Sequence, residues 1–344
     1  LRFKSVHLEA FGHALPAEAT TSEQIEAELA DVYADLGLSI GRLELMSGIR
    51  ERRFWPTGTL PSEVARRAAE DALARCEIDR DRIGMLIHAS VCRDFLEPAS
   101  ASVVHNALGL SAHCCAFDLS NACLGFANAL SVVARAIEAG DIEAALVVAG
   151  EDGGPLVRQT LRHLRQQTKV TRKELKLAYA SLTIGSGAAA CVVTRADLSR
   201  VSRRLVGGVS LAATNHVELC RGQASGEDGP LMQTDSEKLL HAGNQLAERT
   251  WAEFQRELGW SADSNLGVIT HQVGAAHRKL LLETLGLDRE ADFPTVEWLG
   301  NIGSVSLPIT FDLADREGFF SPGQRVALLG IGSGLHCVML GVEI

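Results

Sequence analysis

The chain has 344 residues, 46% hydrophobic and 22% charged, the balance of a globular protein large enough for two fused cores. Its formal net charge of -10 argues against a nucleic-acid-binding or anionic-membrane surface. No apolar run approaches the ~20 residues of a bilayer span, and the start "LRFKSVHLEA" lacks a signal-peptide pattern, so a cytoplasmic protein is expected.

In chain order, the first expected helix covers 22–36, with Thr20 and Glu23 at capping-box spacing. A second helix is expected over 61–76. The runs at 84–90 ("GMLIHAS") and 115–120 ("CAFDLS") read as strands. A helix over 123–139 follows, with Gly140 as its C′ residue. Strands are expected at 144–150 and 188–194, a helix at 236–258, a strand at 265–270, a helix at 272–285 and a strand at 325–331. Continuous apolar runs of this kind suit strands buried on both faces. Their alternation with helices predicts an α/β fold with helices on both faces of largely parallel or mixed sheets.

An internal echo accompanies this alternation. "IGSGAAACVV" (184–193) and "IGSGLHCVML" (331–340) both place a Gly-Ser-Gly turn before an apolar run. A strand, a reactive turn and a helix also follow one another twice, at Cys123 and at His271. Two similar halves meeting near residues 195–205 account for both patterns, and so does coincidence between glycine-rich turns.

Eight cysteines are present, at 76, 92, 114, 115, 123, 191, 220 and 337. None forms a CxxC pair, and no His spacing matches a zinc site. A reducing compartment is expected, with no disulfide and no structural metal.

Three stretches carry the residue types of catalysis. In "DLSNACLGFANAL" (118–130), Cys123 stands where a buried strand hands over to a buried helix. There, unpaired N–H groups and the helix dipole favour a thiolate, and the local N–H groups can hold an oxyanion. A small residue packing between strand and helix fits the same place. In "VITHQVGAAH" (268–277), His271 follows a strand and should project from the sheet's end, where open α/β sheets bind ligands. His277 reads as a satisfied structural histidine. In "WLGNIGSVSLPI" (298–309), Asn301 lies between two glycines, before a helix that Pro308 should interrupt or bend.

Taken together, with the turn "GIGSG" (330–334), these stretches resemble the thiolase-fold condensing enzymes over essentially the whole chain. Within them the resemblance is to the ketoacyl-ACP synthase III branch. "DLSNACLGF", "HQVG" and "GNIGSVSLP" look like that branch's cysteine, histidine and asparagine motifs. Asn121, Leu124, Gly274 and Ile302, with "SVCRDFLEPASAS" (90–102) and "ALLGIGSGL" (327–335), are more similar to the OleA family, which joins two fatty acyl chains head to head.

The resemblance implies a thiolase-like fold of two halves, 1–198 and 199–344, in five layers, α-β-α-β-α. It also implies a homodimer. Cys123 would carry the first acyl group. His271 and Asn301 would hydrogen-bond the carbonyl of the second thioester. The N–H groups of Cys123 and Gly334 would form the oxyanion hole.

Non-decarboxylative condensation needs a base for an α-proton. In "RDFLEP", Glu97 stands beside Phe95, Leu96 and Pro98, where burial would raise its pKa. A solvated carboxylate paired with Arg93 is the ordinary alternative, and Asp94 is a rival base. The resemblance assigns the role to Glu97, acting in the partner's active site. The basic run Arg158, Arg162, Arg165, Lys169, Arg172, Lys173 and Lys176 reads as a solvated helix face or as a receiver of coenzyme A phosphates or a carrier protein.

The expected reaction is condensation of two long-chain acyl-CoAs to an α-alkyl-β-keto acid, without cofactor or metal. The alternative is a decarboxylating synthase using malonyl thioester, and a third class is a non-catalytic acyl-binding protein.

Overall fold

The structure, a computed structural model, describes residues 1–226, 229–262 and 265–344. Its first strand, β1 (Val6–Ala14), escapes a search for apolar runs because His7, Glu9, Gly12 and His13 interrupt it. It is buried nonetheless. Val6, Leu8 and Phe11 pack into one core cluster and Ala10 into another. Glu9 accepts hydrogen bonds from the Ser199 hydroxyl (2.6 Å) and the Arg200 N–H (3.2 Å), which offsets its desolvation.

The chain continues through β2 (Ala19–Thr21), α1 (Ser22–Ala27), α2 (Ala30–Asp35), α3 (Arg42–Ser47), β3 (Glu51–Arg53) and α4 (Pro61–Leu73). Next come β4 (Ile83–His88), α5 (Ser100–Leu108), β5 (Cys115–Asp118), α6 (Gly125–Ala139) and β6 (Ala144–Glu151). Then follow α7 (Gly154–Gln166), α8 (Arg172–Leu182) and β7 (Gly187–Arg195). The remainder runs β8 (Arg204–Ala212), β9 (Cys220–Gly226), β10 (Gly229–Thr234), α9 (Ser236–Leu258), β11 (Leu266–Thr270) and α10 (Ala275–Leu285). It ends with α11 (Val296–Leu299), α12 (Ser306–Arg316), β12 (Arg325–Gly332) and β13 (His336–Glu343).

Two local expectations change. The helix expected over 22–36 is split into α1 and α2, and the cap lies one residue later. Thr21 accepts from the Gln24 N–H (3.1 Å), and Gln24 Oε1 accepts from the Thr21 N–H (2.8 Å). The turn between the helices leaves Ile25, Leu29 and Tyr33 in one buried cluster. Pro308 does not interrupt α12. It lies in the first turn, where its missing N–H has no intrahelical acceptor to lose.

Nine strands are hydrogen-bonded in the order β11-β12-β13-β8-β1-β7-β6-β4-β5. The sheet is mixed: β4 is parallel to β5 and β6, and β7 is antiparallel to both β6 and β1. β11 is likewise parallel to β12, and β13 is antiparallel to both β12 and β8. The runs β4-β6-β7-β1 and β11-β12-β13-β8 therefore match strand for strand in order and direction. The counterpart of β5 is reduced to a single parallel bridge, Val268 to Asp292.

The two Gly-Ser-Gly turns thus precede equivalent strands, β7 and β13. The second echo is corrected. His271, after β11, corresponds to the end of β4. The true counterpart of Cys123 is Asn301, which follows the reduced strand and leads into α12 as Cys123 leads into α6.

Side-chain alternation builds the layers. Ala145, Val147, Ala149, Ala189, Cys191 and Val193 face α6, while Leu146, Val148, Ala188, Ala190 and Val192 face α4 and α5. In the second run Val326, Leu328, Val338 and Leu340 join the same middle cluster, which contains α12. Ala327, Leu329, Cys337 and Met339 face α9 and α10. The five layers are α4/α5, sheet, α6/α12, sheet, α9/α10. A strand between two apolar layers must be apolar on both faces, hence the continuous runs.

The stretch Ala122–Ala139 has a mean hydropathy of 1.3 and a length that would also suit a membrane span. Its apolarity serves the middle layer instead: Phe126, Leu130, Val133 and Ile137 are core residues. All eight cysteines are free thiols. One cluster of potential metal ligands, His13, Asp71 and Asp312, holds the Arg316 guanidinium, 2.5 Å from both Asp71 and Asp312.

Candidate active site

The nucleophile turn is built from the end of β5. The Asp118 carboxylate accepts the Ser100 and Ala101 N–H groups (2.9 and 2.8 Å) at the start of α5, which fixes the strand end. The Leu119 N–H then bonds the His88 carbonyl (2.9 Å). Ala122 adopts φ 46°, a left-handed conformation costing an alanine about 1–2 kcal/mol. This elbow sets Cys123 just ahead of α6, whose N-cap is Leu124.

The expected thiolate is not the resting form. Burial pushes the Cys123 thiol up to about 12, and Glu151 and Cys220 add to the shift. Cys123 lies outside the first helical turn, and the Leu124 and Gly125 N–H groups bond the Asn121 and Ala122 carbonyls (2.9 and 3.2 Å). Desolvation and a neighbouring carboxylate outweigh the partial charge of the helix end.

His271 caps the end of β11, its N–H bonded to the Leu329 carbonyl (2.8 Å). It is 4% exposed, and neither ring nitrogen has a partner among the described residues. Burial, then the proximity of His277, pushes its pKa down to about 3, so the imidazole is neutral. His277 is not the satisfied histidine expected from sequence. Its Nδ1 is buried without a partner, and burial pushes it down to about 4.

Gln272, which sequence reasoning passed over, fixes the histidine turn. Its Nε2 donates to the Phe293 carbonyl (2.7 Å), and its Oε1 accepts the Thr295 and Val296 N–H groups (2.9 and 3.0 Å). Its N–H reaches Ser306 Oγ (3.4 Å) at the start of α12. The histidine and asparagine segments are thereby one unit.

Asn301 donates its N–H to the Thr183 carbonyl (3.0 Å) and accepts the Gly185 N–H (2.9 Å). Its side-chain Oδ1 accepts the Gly303 N–H (3.1 Å). The Nδ2 has no partner among the described residues and is the group left to donate.

Close packing brings the segments together. A Cβ on Gly332 would lie 2.9 Å from Leu124 Cγ, so only glycine lets β12 approach the nucleophile turn this closely. His271 is bonded to Leu329, three residues before Gly332 on the same strand. Glu151, at the end of β6 and also missed from sequence, acts on Cys123 and accepts the Ser304 hydroxyl (2.5 Å). An acidic residue ending an otherwise apolar strand was its signal. Gly334 has φ 130°, and its N–H has no partner among the described residues.

Glu97 departs from both local expectations. It is exposed rather than buried, and it forms no ion pair with Arg93 among the described residues. Its neighbours Phe95 and Leu96 are exposed too, Leu96 at 93%. The rival Asp94 is an anchor instead: its Oδ1 accepts the Ser62 N–H (2.9 Å), and its N–H bonds Ser100 Oγ (3.1 Å).

The basic run lies on α7, α8 and the turn between them. Lys176 pairs with Glu237 (2.9 Å), Arg165 with Glu28 (3.8 Å), and Arg172 bonds the Leu36 carbonyl (2.8 Å). Arg158, Lys169 and Lys173 carry no ion pair among the described residues.

A half-buried thiol on a strand-to-helix elbow of the first run of strands, with a neutral histidine and an asparagine amide on the turns of the second run, is the pattern of a condensing enzyme of the thiolase fold. Residues 117–167 match the family described as 3-oxoacyl-[acyl-carrier-protein (ACP)] synthase III, and residues 256–344 match its C-terminal family. The chain is 37% identical to the acyl-CoA:acyl-CoA alkyltransferase of Shewanella oneidensis over 100% of both chains. It is also 37% identical to that of Xanthomonas campestris over 99% of both. A crystal structure of Xanthomonas campestris OleA with a cysteine replaced by alanine superimposes with a TM-score of 0.95 at 37% identity, covering 100% of this chain and 98% of that one. The chain belongs to the acyl-CoA:acyl-CoA alkyltransferase (OleA) family.

Proposed function

We propose that this enzyme condenses two long-chain acyl-CoAs head to head without decarboxylation. The observation that carries this reading is the buried His271, whose ring nitrogens have no partner among the described residues, together with Cys123 on its elbow and the Asn301 amide left to donate. Cys123 Sγ attacks the first acyl-CoA carbonyl and CoA leaves as the thiol. With the thiol pushed up to about 12, its proton departs during this attack rather than beforehand. The second acyl-CoA then loses an α-proton to the Glu97 carboxylate. His271, through its protonated ring nitrogen, and Asn301 Nδ2 hold the enolate oxygen. The enolate carbon attacks the Cys123 thioester, whose oxyanion is held by the N–H groups of Cys123 and Gly334. Collapse expels the Cys123 sulfur and gives an α-alkyl-β-ketoacyl-CoA. Water then releases the β-keto acid and CoA. Acyl-CoA is the substrate, and these steps call on no cofactor or metal.

Two further parts belong to this reading. The halves 1–198 and 199–344 each bring one arm of the site. The chain acts as a homodimer in which the apolar loop tip, with Phe95 and Leu96, inserts Glu97 into the partner's site. Xanthomonas campestris OleA has been solved with bound lauric acid and lauroyl-CoA, and with a glutamate replaced. In that protein the replaced glutamate precedes the replaced cysteine by the same number of residues that separate Glu97 from Cys123. Arg158, Lys169 and Lys173, which carry no ion pair among the described residues, receive the CoA phosphates or an acidic carrier protein in this reading.

Incubation with a fatty acyl-CoA alone tests the reaction. CoA release with a ketone, formed by decarboxylation of the released β-keto acid, is expected. A strict requirement for malonyl thioester would establish the decarboxylating alternative; a Xanthomonas oryzae protein named 3-oxoacyl-(acyl carrier protein) synthase III is 36% identical with a TM-score of 0.94. No acylation of Cys123 by any acyl thioester would leave a non-catalytic acyl-binding protein.

A further inference from the structure

Glu151 is 5% exposed, and its carboxylate gathers donors from two separate segments. Oε1 accepts the Val91 N–H (2.9 Å) and the Ser304 hydroxyl (2.5 Å), and Oε2 accepts the Cys92 N–H (3.2 Å). Val91 and Cys92 open the loop that carries Glu97. Ser304 belongs to the turn that carries Asn301. A Cβ on Gly303 would lie 3.5 Å from Glu151 Cδ, so this turn rests directly on the carboxylate. The Glu151 backbone is fixed from the other side, its carbonyl accepting the Trp55 indole N–H (3.1 Å).

We propose that Glu151 is a positioning residue for carbon–carbon bond formation: its buried carboxylate ties the base-bearing loop and the asparagine turn into one frame beside Cys123. Burying a carboxylate is costly, and only an acceptor with no hydrogens of its own receives three donors at once. Here one donor segment carries the Asn301 of this site, and the other is the base of the loop whose tip presents Glu97 to the partner's site. The three hydrogen bonds of the Glu151 carboxylate all go to protein donors, so its role is positioning. The inference rests on the reading of Cys123 as acyl carrier and Glu97 as base.

Glu151→Gln keeps the shape but turns an amide N–H₂ towards an N–H group. Ser304→Ala removes one donor and leaves the Val91 and Cys92 bonds. With lauroyl-CoA, three quantities are read in the full-length enzyme: acyl adduct on Cys123 by mass spectrometry, α-deuterium exchange in D₂O, and kcat and KM for condensation. Glu151→Gln should acylate Cys123 to the unaltered stoichiometry and keep its KM. Its kcat and α-exchange should fall about 10- to 100-fold, the equivalent of lost hydrogen bonds to a charged acceptor. Ser304→Ala should show the same split with a smaller loss. Unchanged condensation in Glu151→Gln, or acylation that falls in step with condensation, overturns the inference. If Glu151→Gln does not fold, Ser304→Ala decides by the same criteria. Absence of Cys123 acylation in the unaltered enzyme overturns the underlying reading of the site; full acylation with normal Glu151→Gln condensation overturns the inference alone.

Discussion

Cys123 rests as a half-buried thiol and His271 as a buried neutral imidazole, so the two are not a preformed ion pair. Cys123→Ser should therefore abolish condensation, since an alcohol is still harder to ionise in the same dry site. His271→Ala and Asn301→Ala should keep much of the acyl transfer to Cys123. Each should lose carbon–carbon bond formation by ~10²–10³-fold, the usual effect of removing one oxyanion donor. Equal loss of both steps, measured by Cys123 adduct and product yield, would move these residues to the first carbonyl. Burial also fixes a pH response. His271 and His277 titrate near 3 and 4 in the fold, against ~6.5 in an unfolded chain. Below about pH 6.5 the unfolded chain binds protons that the fold does not, so stability is full above that pH and falls on acidification towards pH 4. His271→Ala should flatten the decline in melting temperature between pH 7 and pH 5. Identical slopes in both proteins would count against a buried neutral histidine.

At the scale of elements, α6 shows why the nucleophile turn is rigid. It lies between two sheets, and Phe126, Ala127 and Leu130 meet Phe11, Leu307, Pro308, Phe311 and Leu328 around a void of only ≈ 10 Å³. So close a fit leaves neighbours little freedom to collapse into a new cavity. Leu130→Ala should cost about 2–5 kcal/mol, read by chemical denaturation. A loss well under 1 kcal/mol would mean that the middle layer relaxes easily. The loop 91–99 is the opposite kind of element. Asp94 and Glu151 hold its base, while Phe95, Leu96 and Glu97 are left at the surface. An apolar tip on a fixed base suits insertion into another subunit better than independent motion.

For the whole molecule, the exposed position of Glu97 becomes a question of assembly. If Glu97 serves the partner's site, mixing Cys123→Ser with Glu97→Gln subunits should restore activity. One site of each heterodimer then combines an intact Cys123 with an intact Glu97. Glu97→Gln alone should still acylate Cys123 yet fail in α-proton exchange. No recovery after demonstrated subunit exchange would place the base in cis or assign it to another residue. Normal condensation by Glu97→Gln would return the malonyl-dependent reaction to first place.

The sequence by itself determined the inner architecture and the reactive residue types. Strands between two apolar layers must be apolar throughout, so β4, β6, β7, β11 and β12 stand out as runs, and Cys123, His271 and Asn301 stand out at their turns. β1 and β8 do not, because charged and glycine positions interrupt their runs, and their burial depends on partners far along the chain. Only the tertiary structure decided that Asn301, not His271, is the counterpart of Cys123, since strand equivalence is a property of the assembled sheet. It also decided the state of the site. The Cys123 thiol, the unpartnered His271 and the buried Glu151 owe their character to desolvation, which neighbours distant in sequence impose. Linear order carries no measure of that burial.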